Sequence, residues 1–175
     1  MCANKVYLAA VAYYDHQVLE ALESLIAGVF GVQVEGIDLK LDLANTYSPS
    51  RQQYSADKVM MQSIELAPKD GKVLVMVDVD LFVPIFTFIF GQAQLAGHVA
   101  LLSTWRLRPE YHGGAHDKRL FMERLFKEAL HELGHAFGLK HCYNPGCVMN
   151  FSPTVEHVDE KTFKFCPTCE RQLHS

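Results

Sequence analysis

His131-Glu132-Leu133-Gly134-His135-Ala136-Phe137-Gly138-Leu139-Lys140-His141 is an H-E-x-x-H helix end continued as H-E-x-x-H-x-x-G-x-x-H. On an α-helix, residues four apart share one face a turn apart, so His131 and His135 can present imidazole nitrogens to a single zinc ion at about 2.0–2.1 Å. Glu132 then stands beside that ion as a candidate general base. His141 can join only if the helix stops. Continued, it would carry His141 on the order of 15 Å along the axis from His131, at about 1.5 Å per residue. Gly138 supplies the stop, because glycine enters the left-handed conformation at little cost and lets the chain turn back. Three histidine ligands leave a fourth position for water, which is the arrangement of a catalytic zinc site. A bare H-E-x-x-H occurs by chance in unrelated helices; Gly138 and His141 in register are what favour zinc.

Upstream of the motif, Phe121, Met122, Leu125, Phe126, Ala129, Leu130, Leu133 and Phe137 make a wide apolar face, with Asp117 as candidate N-cap. The helix that bears the motif is therefore expected to pack along a sheet. Val6 to Tyr13 reads as a strand, and Val18, Leu19, Leu22, Leu25, Ile26 and Val29 read as a helix closed by Gly31. Val32 to Leu43 alternates as a half-buried strand does, with a bulge expected at Gly36. A second helix is expected from Ser48-Pro49-Ser50, with Met60, Met61, Ile64 and Ala67 inward. Lys72 to Val79, nearly all Val, Leu and Met, predicts a strand covered on both faces. Thr87 to Leu95 and His98 to Leu102 read as two more strands, the first at an edge where it could face a peptide. Trp105 to Ala115 reads as a loop. Its His112 and His116, like His16, His98, His157 and His174, are read as solvated rather than as ligands.

Four of the five cysteines follow the histidines: Cys142 and Cys147, with a tight turn at Asn144-Pro145-Gly146, then Cys166-Pro167-Thr168-Cys169. Four thiolates make a closed tetrahedral site, the structural kind of zinc site. Disulfides are the alternative, but nothing indicates export to an oxidising compartment. A nucleic-acid zinc finger is disfavoured because Val148 to Phe165 has only two lysines beside several acidic residues. Cys2 stands alone, as a zymogen-like thiol capping the catalytic zinc or as a chance N-terminal cysteine. His141 and Cys142 are neighbours, so the two ions would lie on the order of 10 Å apart.

At 175 residues without a long Pro/Gly/Ser linker, one domain is the default. A net charge of −4 gives no basic footprint, which argues against nucleic acid as a partner. The apolar stretch Leu81 to Phe90 contains Pro84 and falls short of the roughly 20 residues that span a membrane. No signal peptide is read at the N-terminus, so a cytoplasmic protein, and a monomer, is expected.

HELGHAFGLKHC, then CVMNFS, then CPTC, together resemble the archaemetzincin family of zinc metallopeptidase-like proteins. The motifs span residues 131 to 169. The resemblance implies an α/β (α+β) zincin-like fold: a twisted mixed sheet with packed helices above a cleft, residues 1–138 forming an upper subdomain and 139–175 a small zinc-stapled lower one. It implies catalytic zinc on His131, His135 and His141, with Glu132 as general base, and a second zinc on Cys142, Cys147, Cys166 and Cys169. Met149, which alone would be core filler, becomes the Met-turn, an apolar floor beneath the imidazoles. The tyrosine some metzincins carry just after that turn has no counterpart in Asn150 to Val155. The expected activity is zinc-dependent peptide hydrolysis. The alternatives are a zinc-containing peptide-binding module with little turnover, or a hydrolase of non-peptide amides.

Overall fold

A computed structural model describes residues 4–13 and 15–174; Cys2 lies outside them. In chain order the elements are β1 (Lys5–Val11), α1 (His16–Phe30), β2 (Gln33–Ile37), β3 (Tyr47–Ser48), β4 (Gln53–Ser55), α2 (Ala56–Leu66), β5 (Lys72–Val77), β6 (Leu81–Val83), β7 (Phe86–Ile89), β8 (Gly91–Ala93), β9 (Val99–Ser103), α3 (Lys118–Ala136), α4 (Val155–Glu160) and α5 (Pro167–Leu173). Two short 3-10 turns, Trp105–Leu107 and Pro109–His112, occupy the segment expected to be a plain loop.

The main sheet runs β2-β1-β5-β9-β8, parallel except for β8, which lies antiparallel to β9 at one edge. Strand side chains alternate between two cores, as a pleat requires. Leu74, Met76, Ala100 and Leu102 join Leu22 and Ile26 of α1 and Leu125, Leu130 and Leu133 of α3. Val73, Val75, Val77, Val99 and Leu101 join Val59 and Met60 of α2 on the other face. That two-sided burial is why the β5 sequence is apolar without alternation. A second sheet, β3-β4-β6-β7, packs on the α2 side.

Several upstream expectations shift. Only Gln33–Ile37 of the 32–43 stretch pairs, since the β1–β2 ladder ends at Ala9↔Ile37 and β2 is the outermost strand. Gly36 pairs in register with Leu8, without a bulge. Beyond the ladder, both backbone groups of Asp42 are met by the Gln62 side-chain amide, at 2.8 and 3.1 Å. The second helix begins at Ala56 rather than near Ser48, because Tyr47–Ser55 folds into the β3–β4 hairpin and Ser55 caps the helix. In that register Val59, Met60 and Ser63 face inward, and Met61 is 70% exposed. The 87–95 run is two strands in different sheets, broken where Phe90 is buried.

The α3 start follows expectation: the Asp117 carboxylate accepts from Leu120 N–H at 3.0 Å. After Gly138, whose φ is +101°, the described residues add no strand to either sheet and carry helices α4 and α5. Among the described residues, no helix is long and apolar enough to cross a membrane.

Candidate metal centre and cleft

Helix α3 ends as the motif requires. Gly138 N–H donates to His135 O and Leu139 N–H to Gly134 O, both at 2.9 Å, a left-handed C-terminal closure that reverses the chain. The reversal brings His141 beside the two helical histidines. Ring centroids lie 4.7 Å (His131–His135), 4.8 Å (His135–His141) and 5.3 Å (His131–His141) apart.

The outer nitrogens fix which atoms face inward. His131 Nδ1 is 2.9 Å from Val148 O, and His135 Nδ1 is 2.7 Å from Leu139 O. A carbonyl can only accept, so each Nδ1 carries the proton and each Nε2 presents a lone pair. The two Nε2 atoms stand 3.1 Å apart. Two facing lone pairs at that distance repel unless a cation lies between them, and ligands at about 2.0–2.1 Å in a tetrahedron stand roughly 3.3–3.4 Å apart. Burial lowers the pKa of all three imidazoles, which favours the neutral form a metal needs. His131 is buried, His135 half-buried and His141 exposed, so the triangle opens to solvent on the His141 side.

Glu132 points from α3 toward the edge strand. A Cβ added to Gly91 would lie 2.6 Å from the Glu132 Cγ and Oε1, so only glycine allows β8 this close to the carboxylate. Burial first, and the Glu128 carboxylate second, push the Glu132 carboxyl well above the usual carboxylate range, while Lys161 opposes them. Gly134 does for the floor what Gly91 does for the wall. A Cβ there would run into Met149 Sδ, and Met149 is fully buried. The Met149 segment is fastened to the third histidine's neighbour, since Cys142 N–H donates to Met149 O and Asn150 Nδ2 to Cys142 O, both at 2.9 Å.

The four cysteines meet on the far side of that segment. All four Sγ atoms lie within 4.8 Å of one another, and Cys142 Sγ is 3.7 Å from Cys166 Sγ. No pair is bonded, and about 3.8 Å is the edge of a tetrahedron with metal–sulfur bonds of about 2.3 Å. Backbone amides aim at the sulfurs: Cys166 N–H at Cys147 Sγ (3.3 Å) and Asn144 N–H at Cys142 Sγ (3.5 Å). Amides of Cys169 and Thr168 at the start of α5 hold the Cys166 thiol down to about 7, whereas burial pushes Cys147 and Cys169 up.

The histidines and the four cysteines are the groups of potential ligands found among the described residues. His16, His112, His116, His157 and His174 are exposed and His98 is half-buried, none of them in either group. Sequence reasoning missed Glu128 and Lys161, a buried ion pair of 2.7 Å beneath His131. Glu128 carried a signal, since it lies one turn before Glu132 on the ligand-bearing stripe. Lys161, in Asp159-Glu160-Lys161, looks like any solvated charge. The histidines floor a cleft of about 800 Å³ walled by β8, by the β6–β7 hairpin with Ile85 and Phe86, and by Phe151. Gln92 Oε1 and Ser152 Oγ, of residues on those walls, are buried and have no partner among the described residues.

The sequence model described as Peptidase family M54 matches residues 31–175. This chain belongs to peptidase family M54. It is 37% identical over 168 residues to the archaemetzincin of Pyrococcus horikoshii, covering 91% of this chain and 88% of that one. It is 33% identical over 171 residues to that of Methanocaldococcus jannaschii (97% and 92%). Among solved structures, the archaemetzincin from Methanopyrus kandleri superposes with a TM-score of 0.86 at 33% identity, covering 97% of this chain and 93% of that one. A zinc-dependent peptidase from Methanocorpusculum labreanum does so with 0.83 at 29% (96% and 99%). As an M54 family member, the chain is a zinc metallopeptidase of mixed α/β fold.

Proposed function

We propose that this M54 peptidase cleaves extended peptides in the cleft above His131, His135 and His141, with Glu132 as general base. The observation that carries the reading is the convergence of the inward Nε2 atoms beside a buried carboxylate that abuts a free strand edge. Zinc held by the three imidazoles supplies a Lewis acid that acidifies water and polarises a carbonyl. Glu132 takes the proton from the attacking water and passes it to the leaving amine nitrogen. β8 orients the substrate. Because Ser103 N–H donates to Phe90 O and Gln94 N–H to Val99 O, the backbone groups of Gly91 and Ala93 alternate outward, free to pair with a peptide strand.

The cysteine cage holds a second, structural zinc. Residues 1–138 furnish the upper wall of the cleft and residues 139–175, with Met149 as floor, the lower one.

Glu132→Gln tests the base. General-base catalysis contributes about 10² to 10⁴ in rate, so hydrolysis of a peptide substrate drops by that range while zinc content and peptide affinity stay within a few-fold of wild type. Turnover that survives the substitution overturns the mechanism. A wild type that binds peptides without cleaving them, and no more tightly than Glu132→Gln does, makes the chain a peptide-binding module instead.

A further inference from the structure

Helices α3 and α4 are joined by charges that the hydrolytic scheme leaves unused. Arg124 forks onto Asp159 with two contacts of 2.7 Å, and Lys127 Nζ donates to Asp159 O at 3.0 Å. One residue beyond Asp159 and Glu160, Lys161 turns inward. Its side chain is 1% exposed and that of Glu128 4%, and Nζ lies 2.7 Å from Glu128 Oε1, as an ion pair rather than a well-aligned hydrogen bond. Lys127 and Glu128 lie three and four residues after Arg124, and four and three before His131, so these contacts run along the helix stripe that carries the histidines.

Lys161 touches more than its ion-pair partner. Nζ lies 3.4 Å from Asn150 O and 3.5 Å from His131 Nδ1. Val148 O accepts the His131 Nδ1 proton at 2.9 Å. The ammonium therefore meets Asn150, on one side of Met149, and the outer edge of the His131 ring, which in turn is bound to Val148 on the other side. An unpaired cation buried beside a metal ligand would be costly on two counts: desolvation, and repulsion of the ion. Glu128 removes the first and offsets the second, which is why the pair occurs together.

We propose that Lys161, braced by Glu128, is a positioning residue: it walls the outer edge of the His131 imidazole and clamps the Met149 turn, so that the His131 Nε2 is held on the metal. This rests on the reading that the three imidazoles hold zinc. A charge effect and a positioning effect have opposite signs. If Lys161 acted only as a nearby positive charge, removing it would tighten metal binding. If it positions the ring, removing it loosens binding even when the charge balance is kept.

The double variant Glu128→Gln/Lys161→Met keeps the net charge of the pair at zero and leaves no buried charge unpartnered. Its control is Asp159→Asn, which cuts the neighbouring α3–α4 clamp without touching His131. Full-length proteins are loaded with zinc for competition against a chelator, and with cobalt(II) for visible spectra. Imidazole-site bands and thiolate charge transfer then report the two sites separately. Losing partners that orient a metal ligand weakens affinity about 10–100-fold. The expected result is that loss at the histidine site in the double variant, with altered cobalt bands there and the thiolate absorption unchanged, while Asp159→Asn lowers the melting temperature and leaves both readouts at wild type. Wild-type affinity and spectrum in the double variant overturn the inference. So does an equal change in Asp159→Asn, which would make the effect one of helix docking. A wild type whose histidines take up no metal overturns the zinc reading and this inference with it, and that shows before any variant is made.

Discussion

Gly134 illustrates how much hangs on a single absent methyl group. Gly134 lies in the last turn of α3, where a glycine costs up to about 1 kcal/mol of helix stability relative to alanine, so Gly134→Ala should stabilise the helix in isolation. Here the added Cβ would collide with Met149 Sδ in a fully buried setting, and overpacking a filled core costs about 1–3 kcal/mol. The collision wins. With a net cost of up to about 2 kcal/mol after the helix gain, Gly134→Ala is expected to lower the melting temperature by up to about 8 °C, at about 2–4 °C per kcal/mol for a chain of this length, and to weaken zinc at the histidines. Adding Met149→Ala to it should return the metal affinity part of the way; thermal melts and chelator competition check both. If Gly134→Ala melts at or above wild type, Met149 can move aside and is no rigid floor.

At the level of elements, β8 has two jobs that can be separated. Its inner edge pairs with β9, and its outer edge offers Gly91 and Ala93 to the cleft. Proline at Ala93 removes only an outward N–H, which an edge strand tolerates. Ala93→Pro should therefore keep its fold and zinc content while KM for a peptide rises about tenfold, the worth of one hydrogen bond of about 1.5 kcal/mol. Unchanged KM would mean that the substrate does not lie along this edge. The same strand shows where the sequence was legible and where it was not. An edge position for the 87–95 run was readable from its polar interruptions at Gly91 and Gln92. That β7 and β8 serve different sheets was not, because a break at Phe90 is set by which core receives that side chain.

Across the whole molecule, the histidine and cysteine groups are mechanically linked. Cys142 follows His141 directly and its N–H donates to Met149 O, so the proposed zinc cage would fix both His141 and the Met149 segment. Two zinc ions per chain are expected, the one on the open three-histidine site leaving first under mild chelation. Cys166→Ser should lower the melting temperature and reduce affinity at the distant histidines about tenfold or more, because metal binding contributes folding energy. Metal analysis and melts identical to wild type would remove the cage from the folding account. The cleft itself predicts preference. Ile85, Phe86, Leu95 and Phe151 line it while 48–82% exposed. Burying one large apolar side chain against them is worth about 1.5–3 kcal/mol, so peptides with Leu or Phe beside the scissile bond should be cleaved about 10–100-fold more efficiently than those with Asp there. A library profile flat across side chains would deny the walls any role in selection.

The sequence by itself determined the chemistry and the local geometry that delivers it. Histidines at i and i+4, a glycine three residues on, a third histidine, and two cysteine pairs constrain ligand type and spacing within a few residues, and short-range backbone rules turn such spacing into position. It also determined the α1 and α3 caps, the doubly buried β5 and the edge strand, all written in periodicity. Only the tertiary structure decided the start of α2, the end of β2 and the inward turn of Lys161. It also decided the fit of Gly91 against Glu132 and of Gly134 against Met149. Each of those depends on what a residue far away in sequence does: a ladder running out of partner, a hairpin claiming Tyr47–Ser55, a carboxylate 33 positions before Lys161 drawing its ammonium out of water. Pattern along a chain records which way a side chain faces, whereas contact between distant segments depends on packing, which has no period.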